Sequence, residues 1–247
     1  MDKLLYVAMT GASQNALAQQ AHANNLANIS TTGFRRDFEQ ARSMQVFGDS
    51  FPARVYAMSE RPATDFTPGT LQETGRELDV AVEGEGWLAI QAADGSEAYV
   101  RTGSLKIDAL GMLRTPDGSP VMGNAGPVAV PPEQKVEIGQ DGTISVRALG
   151  EDPNVVVVVD RLKLVNPELA QMEKGTDGMI RMKDGLPPVE ADANVRVVSG
   201  FLETSNVNAV AEMTSMLALA RQFELHVKMM RTAEDDAAAM ARVLQIS

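Results

Sequence analysis

The sequence predicts an α+β chain whose N- and C-terminal helices form a coiled-coil-like pair around a central, mainly antiparallel β domain. Three observations predict it. Residues 6–30 hold no Asp, Glu, Lys or Arg and are filled with Ala, Asn and Gln, a helix-competent composition. From Leu78 the apolar residues alternate with a period of two, as in Leu78-Asp79-Val80-Ala81-Val82. Beyond Asn206 the period returns to three and four and is sustained almost to the last residue.

The first helix carries a narrow seam. Steps of three and four from Leu5 pass through Met9, Ala12, Ala16, Gln19, Ala23 and Leu26, mostly small side chains that let another helix approach closely. Burying Ala recovers little apolar surface, so such a helix is marginal in water and is expected to order when something packs on it. After Ser30-Thr31-Thr32-Gly33 the helical period stops, and the stretch to Gly75 reads as loop with short extended pieces, punctuated by Gly48, Pro52, Pro62, Pro68 and Gly69. The expected organisation is terminal helical segments at 1–32 and 205–247, an extended linker at 33–75, and a β-rich domain at 76–204.

Five Asp-Gly pairs, at 94–95, 117–118, 141–142, 177–178 and 184–185, mark the corners of the middle, because Gly accepts the positive φ that tight hairpins need. Residues 155–159 are five consecutive valines and read as a strand buried on both faces; an exposed edge pairing with another subunit is the competing reading. The last helix opens at Asn206-Val207-Asn208, where Asn can cap free N–H groups. Its seam runs through Met213, Met216, Ala220, Phe223, Val227, Met230, Glu234, Ala237, Ala241 and Leu244. At 1.5 Å per residue such a helix is about 55 Å long, too long to lie wholly on the β domain, so its expected partner is the first helix.

Composition narrows function. A net charge of −11 without a basic patch excludes nucleic acid as a partner. No Cys is present, and His22 and His226 stand at opposite ends, so no metal, cofactor or catalytic residues are expected. With one Trp and three Tyr there is little material for a small-molecule pocket. Gly84-Glu85-Gly86 lacks the third Gly of a dinucleotide fingerprint and reads as a turn, with Glu83 and Glu85 solvated. Nowhere do eighteen apolar residues run together, so no membrane span is expected, and the apolar start is too short for a cleaved signal peptide. Fourteen methionines, several on the last helix, suit a surface that packs against more than one partner.

Three blocks, at 23–36, 78–87 and 200–224, resemble those of one family, the rod and hook proteins of the bacterial flagellum. Ala23-Asn24-Asn25-Leu26-Ala27-Asn28-Ile29-Ser30-Thr31-Thr32-Gly33-Phe34-Arg35-Arg36 is similar to its ANNLANxxTxGFKR signature. Leu78-Asp79-Val80-Ala81-Val82-Glu83-Gly84-Glu85-Gly86-Trp87 resembles its LDVAIxGxGFF strand pair, with Trp87 where Phe is usual. Gly200-Phe201-Leu202-Glu203-Thr204-Ser205-Asn206-Val207-Asn208, with Glu212-Met213 and Arg221-Gln222-Phe223-Glu224, resembles its GxLExSNVD, EM and RxYE pattern. Within the family, residues 1–12 and the run Asp65-Phe66-Thr67-Pro68-Gly69 are most similar to proximal rod members. Distal rod members are the near rival, and hook proteins carry outer domains for which this chain has no room.

The resemblance implies a non-enzymatic rod subunit that transmits torque. It implies copies of itself, other rod proteins and the flagellar type III export apparatus as partners, and a place in the periplasmic rod without signal cleavage. The residues expected to carry assembly are Leu5, Met9, Ala12, Ala16, Ala23, Asn24, Asn25, Leu26 and Asn28 at one end. At the other they are Met213, Met216, Leu217, Ala220, Phe223, Val227, Met230 and Leu244. The alternative from another class is a β-rich binding module oligomerised by its coiled coil, which would need titratable groups converging in one concave site.

Overall fold

A computed structural model describes residues 4–38, 41–45, 55–59, 63–131, 133–148, 156–184 and 186–246. Gly48, Pro52, Pro62, Val155 and Gly185 lie outside the described residues. The chain divides into two compact units. One comprises Met1–Asn28, Arg36–Asp65 and Val207–Ser247; the other comprises Ile29–Arg35 and Phe66–Asn206.

The first unit is built on two helices, α1 (Leu4–Ala27) and α2 (Ala209–Ile246). Four short strands accompany them: β1 (Asp37–Phe38), β2 (Ala41–Gln45), β3 (Val55–Ser59) and β4 (Ala63–Thr64). β1 pairs with β4 and β2 with β3, both antiparallel, so the stretch expected to be mostly loop carries two small ladders. The Arg36 Nε donates to Asp65 Oδ2 at 2.8 Å and the Thr64 hydroxyl donates to Asp37 Oδ1, fastening the first of these ladders.

The second unit is antiparallel β, with one short 3-10 turn at Leu169–Gln171. Its strands begin with β5 (Leu71–Glu73), β6 (Val80–Glu83), β7 (Trp87–Gln91), β8 (Glu97–Val100), β9 (Lys106–Ile107) and β10 (Leu113–Arg114). They continue with β11 (Glu133–Ile138), β12 (Thr143–Ala148), β13 (Val157–Arg161) and β14 (Leu164–Val165). The last are β15 (Met172–Lys174), β16 (Ile180–Met182), β17 (Arg196–Ser199) and β18 (Phe201–Glu203). Five form one sheet in the order β14-β7-β8-β16-β15, and three form another in the order β11-β12-β13. The pairs β6–β17, β5–β18 and β9–β10 complete it.

Alternation decides where the cores sit. On β7, Leu88 and Ile90 join the larger core with Leu105, Leu113, Ile144 and Leu164, while Trp87 and Ala89 face a smaller one with Tyr99, Val165, Met172 and Ile180. Both faces of β7 are therefore buried, which is why its apolar residues run on without a break.

The hairpin corners form as the Asp-Gly pairs predict: Gly95, Gly118, Gly142 and Gly178 all have φ between 80° and 87°. At Asp94 and Asp141 the carboxylate accepts the hydroxyl and backbone N–H of the residue two positions on, Ser96 and Thr143, and both carboxyls are held below the usual carboxylate range by those bonds.

The valine run differs from its expectation. Val156, Val157 and Val158 are exposed rather than buried on both faces. β13 is the edge strand of a three-stranded sheet, and of the run's described valines Val159 alone packs against the core, so no second layer covers the other three.

Candidate assembly interface

Within the first unit the two helices run antiparallel. Glu212, in the first turn of α2, meets His22 near the end of α1 at 2.5 Å, whereas His226, four turns further along α2, lies over Gly11 near the start of α1. A Cβ at Gly11 would stand 2.5 Å from His226 Cε1, so the missing side chain is what admits the imidazole. On α1 Ala8, Gly11, Ala12 and Asn25 are buried, and on α2 Glu212 is buried while Met216, Leu219, Val227 and Met230 are half-buried. Small residues facing larger ones permit the close approach.

Two side chains of the signature block are accounted for here. Asn25, fully buried, grips the start of β1 at both ends of its amide: Asn25 Nδ2 donates to Asp37 O and Asp37 N–H donates to Asn25 Oδ1, each at 2.9 Å. The same Nδ2 reaches Glu212 Oε2 at 3.3 Å. Asn28 Nδ2 turns back to Asn24 O at 2.9 Å, adding a second donor to the carbonyl that already accepts the Asn28 backbone N–H at 3.1 Å. At the other helix Asn208 Oδ1 accepts from the N–H groups of Val210 and Ala211, the cap its position predicts, and Glu212 places its carboxylate at the favourable end of the helix dipole.

The expected assembly residues divide into two sets. Ala12 and Asn25 are buried, and Leu26, Asn28, Met216, Val227 and Met230 are half-buried. Leu5, Met9, Ala16, Ala23, Asn24, Met213, Leu217, Ala220 and Phe223 are exposed. The seam drawn from Leu5 is thus offset: it runs beside the face that α1 turns to α2, and most of it stays uncovered. The side chain of Leu244 lies outside the described residues. Tyr6, Leu17, Val210, Leu225, Met229 and Met240 are further large apolar side chains exposed on the same two helices. Among the described side chains of α2, Ala233 is the last half-buried one, and 234–242 are exposed.

The second unit contains a buried charge cluster absent from the expected site residues. Glu203, on β18, accepts from Arg35 Nη2 through Oε1 and from Arg101 Nε through Oε2, each at 2.6 Å, with all three side chains buried. Its Oε1 also takes the Gly69 N–H at 2.8 Å. Arg101 donates further to the carbonyls of Gly86, Gly84 and Val82, at the turn after β6. Both guanidiniums lie over the Trp87 ring, at 5.6 and 5.8 Å from its centroid, and Phe66 meets the ring edge-on. Glu83 and Glu85 are exposed, as a solvated turn requires. Gly33 sits against the Arg101 backbone at φ 69°, where a Cβ would be 2.4 Å from a carbonyl carbon. The Glu of the GxLExSN block and the Gly and first Arg of the GFRR block thus meet in one structure, although nothing local in the sequence announces it.

Among the described residues no helix is long and apolar enough to cross a membrane, and no group of three or more His, Asp or Glu could hold a metal ion. Comparison with known proteins matches three stretches to flagellar family profiles. Residues 5–35 match the flagella basal body rod protein family, 81–146 the D1 domain of the hook proteins FlgE/F/G, and 198–243 the C-terminal region of the basal body rod proteins FlgEFG. The flagellar basal-body rod protein FlgF of Escherichia coli is 44% identical over 252 residues, covering all of both chains. This chain belongs to the flagellar basal-body rod protein family. The rod protein FlgF of Salmonella typhimurium is 40% identical over the whole of both chains, whereas the rod protein FlgG of Buchnera aphidicola (Schizaphis graminum) is 28% identical over 93% of this chain and 95% of its own. The chain is accordingly an FlgF-like rod protein, a structural subunit of the basal body. The family profiles at 5–35 and 198–243 fall largely on the two helices and their flanks.

Proposed function

We propose that this rod protein polymerises through its terminal helices into a helical tube, as part of the proximal rod, and transmits torque from subunit to subunit. The observation that carries the reading is the set of large apolar side chains left in water on a helix pair that is nearly free of charge along α1. Patches of that kind mark surfaces awaiting a partner. A contact between different patches of like subunits does not close on itself and generates a filament, which is the geometry a rod needs. Leu5, Met9, Ala16 and Ala23 of α1, with Met213, Leu217 and Phe223 of α2, supply that contact, while Ala12, Asn25, Met216, Val227 and Met230 hold the pair that presents it.

In this reading the work is mechanical and no catalytic step belongs to it. The chain is exported by the flagellar type III apparatus without cleavage, and the weakness of α1 in isolation helps it travel extended and order on arrival. Its place is the periplasmic part of the rod, and its partners are copies of itself and other rod proteins.

Leu217→Asp tests the proposal, because Leu217 is exposed and its replacement leaves the helix pair intact. Cells carrying it should export the chain at normal levels, yet recovered basal bodies should lack it and swimming should cease. Normal swimming with Leu217→Asp would remove the helices from the interface.

A further inference from the structure

We infer that exposed methionines on the terminal helices make the unassembled subunit sensitive to hydroperoxides, and that incorporation into the rod removes the sensitivity; the second half rests on the assembly reading above. Methionine is unevenly distributed by exposure. Met9, Met213, Met229 and Met240 are 53%, 51%, 43% and 72% exposed, and all lie on α1 or α2. Met58 on β3 is the other exposed methionine among the described residues, again in the helical unit. In the β unit Met172 is 4% exposed, and Met112, Met122, Met179 and Met182 are half-buried. The accessible thioethers thus coincide with the apolar surface that assembly must cover.

Oxidation follows exposure. A hydroperoxide transfers its terminal oxygen to the thioether sulfur: the O–O bond breaks, an S–O bond forms, and the proton of the terminal oxygen passes to the oxygen left behind. Sulfur gives up two electrons, and the hydroperoxide is reduced to the alcohol, or to water when it is hydrogen peroxide. The sulfoxide is polar and stiffer where a flexible apolar side chain stood, so burying it in a helix contact leaves a strong acceptor without a donor. One such group is enough to weaken the contact about tenfold. The chain has no cysteine, so no thiol competes for the oxidant.

The test treats the purified full chain and isolated basal bodies with the same dose of hydrogen peroxide and maps sulfoxides by mass spectrometry. In the free chain Met9, Met213, Met229 and Met240 should oxidise about tenfold faster than Met172, in proportion to exposure. In basal bodies the same four should be protected about tenfold. Self-association of the free chain, followed by sedimentation, should weaken at least about tenfold on oxidation and recover after treatment with the two methionine sulfoxide reductases. Oxidation no faster than at Met172, or oxidised chain that associates as well as reduced chain, overturns the inference and leaves the assembly reading standing. Rapid oxidation of the four in intact basal bodies, or a reduced chain that does not associate, overturns the assembly reading and takes this inference with it.

Discussion

Glu203 stands between two guanidiniums with all three side chains buried. Removing it leaves both Arg35 and Arg101 buried beside each other, a cost of about 3–5 kcal/mol when a buried pair loses one partner. Glu203→Ala should therefore lower the urea midpoint of the β unit sharply, while Glu203→Gln, which keeps an acceptor for the Gly69 N–H, should lower it less. Trp87 reports the loss directly, since it is the single tryptophan and lies under both guanidiniums. An unchanged midpoint of Trp87 fluorescence in Glu203→Ala would mean that the cluster does not hold this unit together. At this scale legibility follows range. The Asp-Gly corners and the Asn208 cap were readable because each acts on N–H groups two or three residues away. Arg101 and Glu203 are 102 positions apart, and a lone Arg or Glu in a β-rich stretch carries no mark of its partner.

Among the elements, the helix pair shows how far a hydrophobic pattern reaches. Its existence and partner follow from periodicity and length, but the inner face of α1 does not. Ala8 and Met9, or Ala12 and Ala16, are nearly equivalent in a segment without charged residues, so the phase of the seam had no contrast to fix it. The better signal was Gly11, a residue that costs about 1 kcal/mol in a helix interior and so implies a close approach. The valine run fails differently: apolarity tells that a strand can be buried, not that a second sheet exists to bury it. Gly11→Ala separates the two effects at the helix contact. The substitution gains about 1 kcal/mol of helix propensity, but its Cβ lies 2.5 Å from His226 and overpacking costs roughly 1–3 kcal/mol. Amide exchange along α1 should accelerate in Gly11→Ala, and slow below the single-mutant reference when Gly11→Ala is added to His226→Ala. The same change in both backgrounds would show that His226 does not set the register.

For the molecule as a whole, charge and apolar surface act against each other. The formal charge is −11, so copies repel, while α1 and the uncovered face of α2 present apolar side chains that attract. Repulsion between like-charged subunits acts over the Debye length, about 10 Å at 0.1 M ionic strength and about 3 Å at 1 M, whereas apolar contact does not weaken over that range. Self-association of the purified chain should therefore rise as salt is raised from low to high concentration at neutral pH. Sedimentation velocity across the series measures it, with Leu217→Asp as the control that should stay monomeric throughout. Two outcomes discriminate between kinds of interface. Association that strengthens with salt and depends on Leu217 belongs to the helices. Association that weakens with salt would belong to ion pairs between subunits, with the acidic surface as a binding partner rather than a barrier, and the apolar stripe of the helices would then have to be covered by something other than a neighbouring copy.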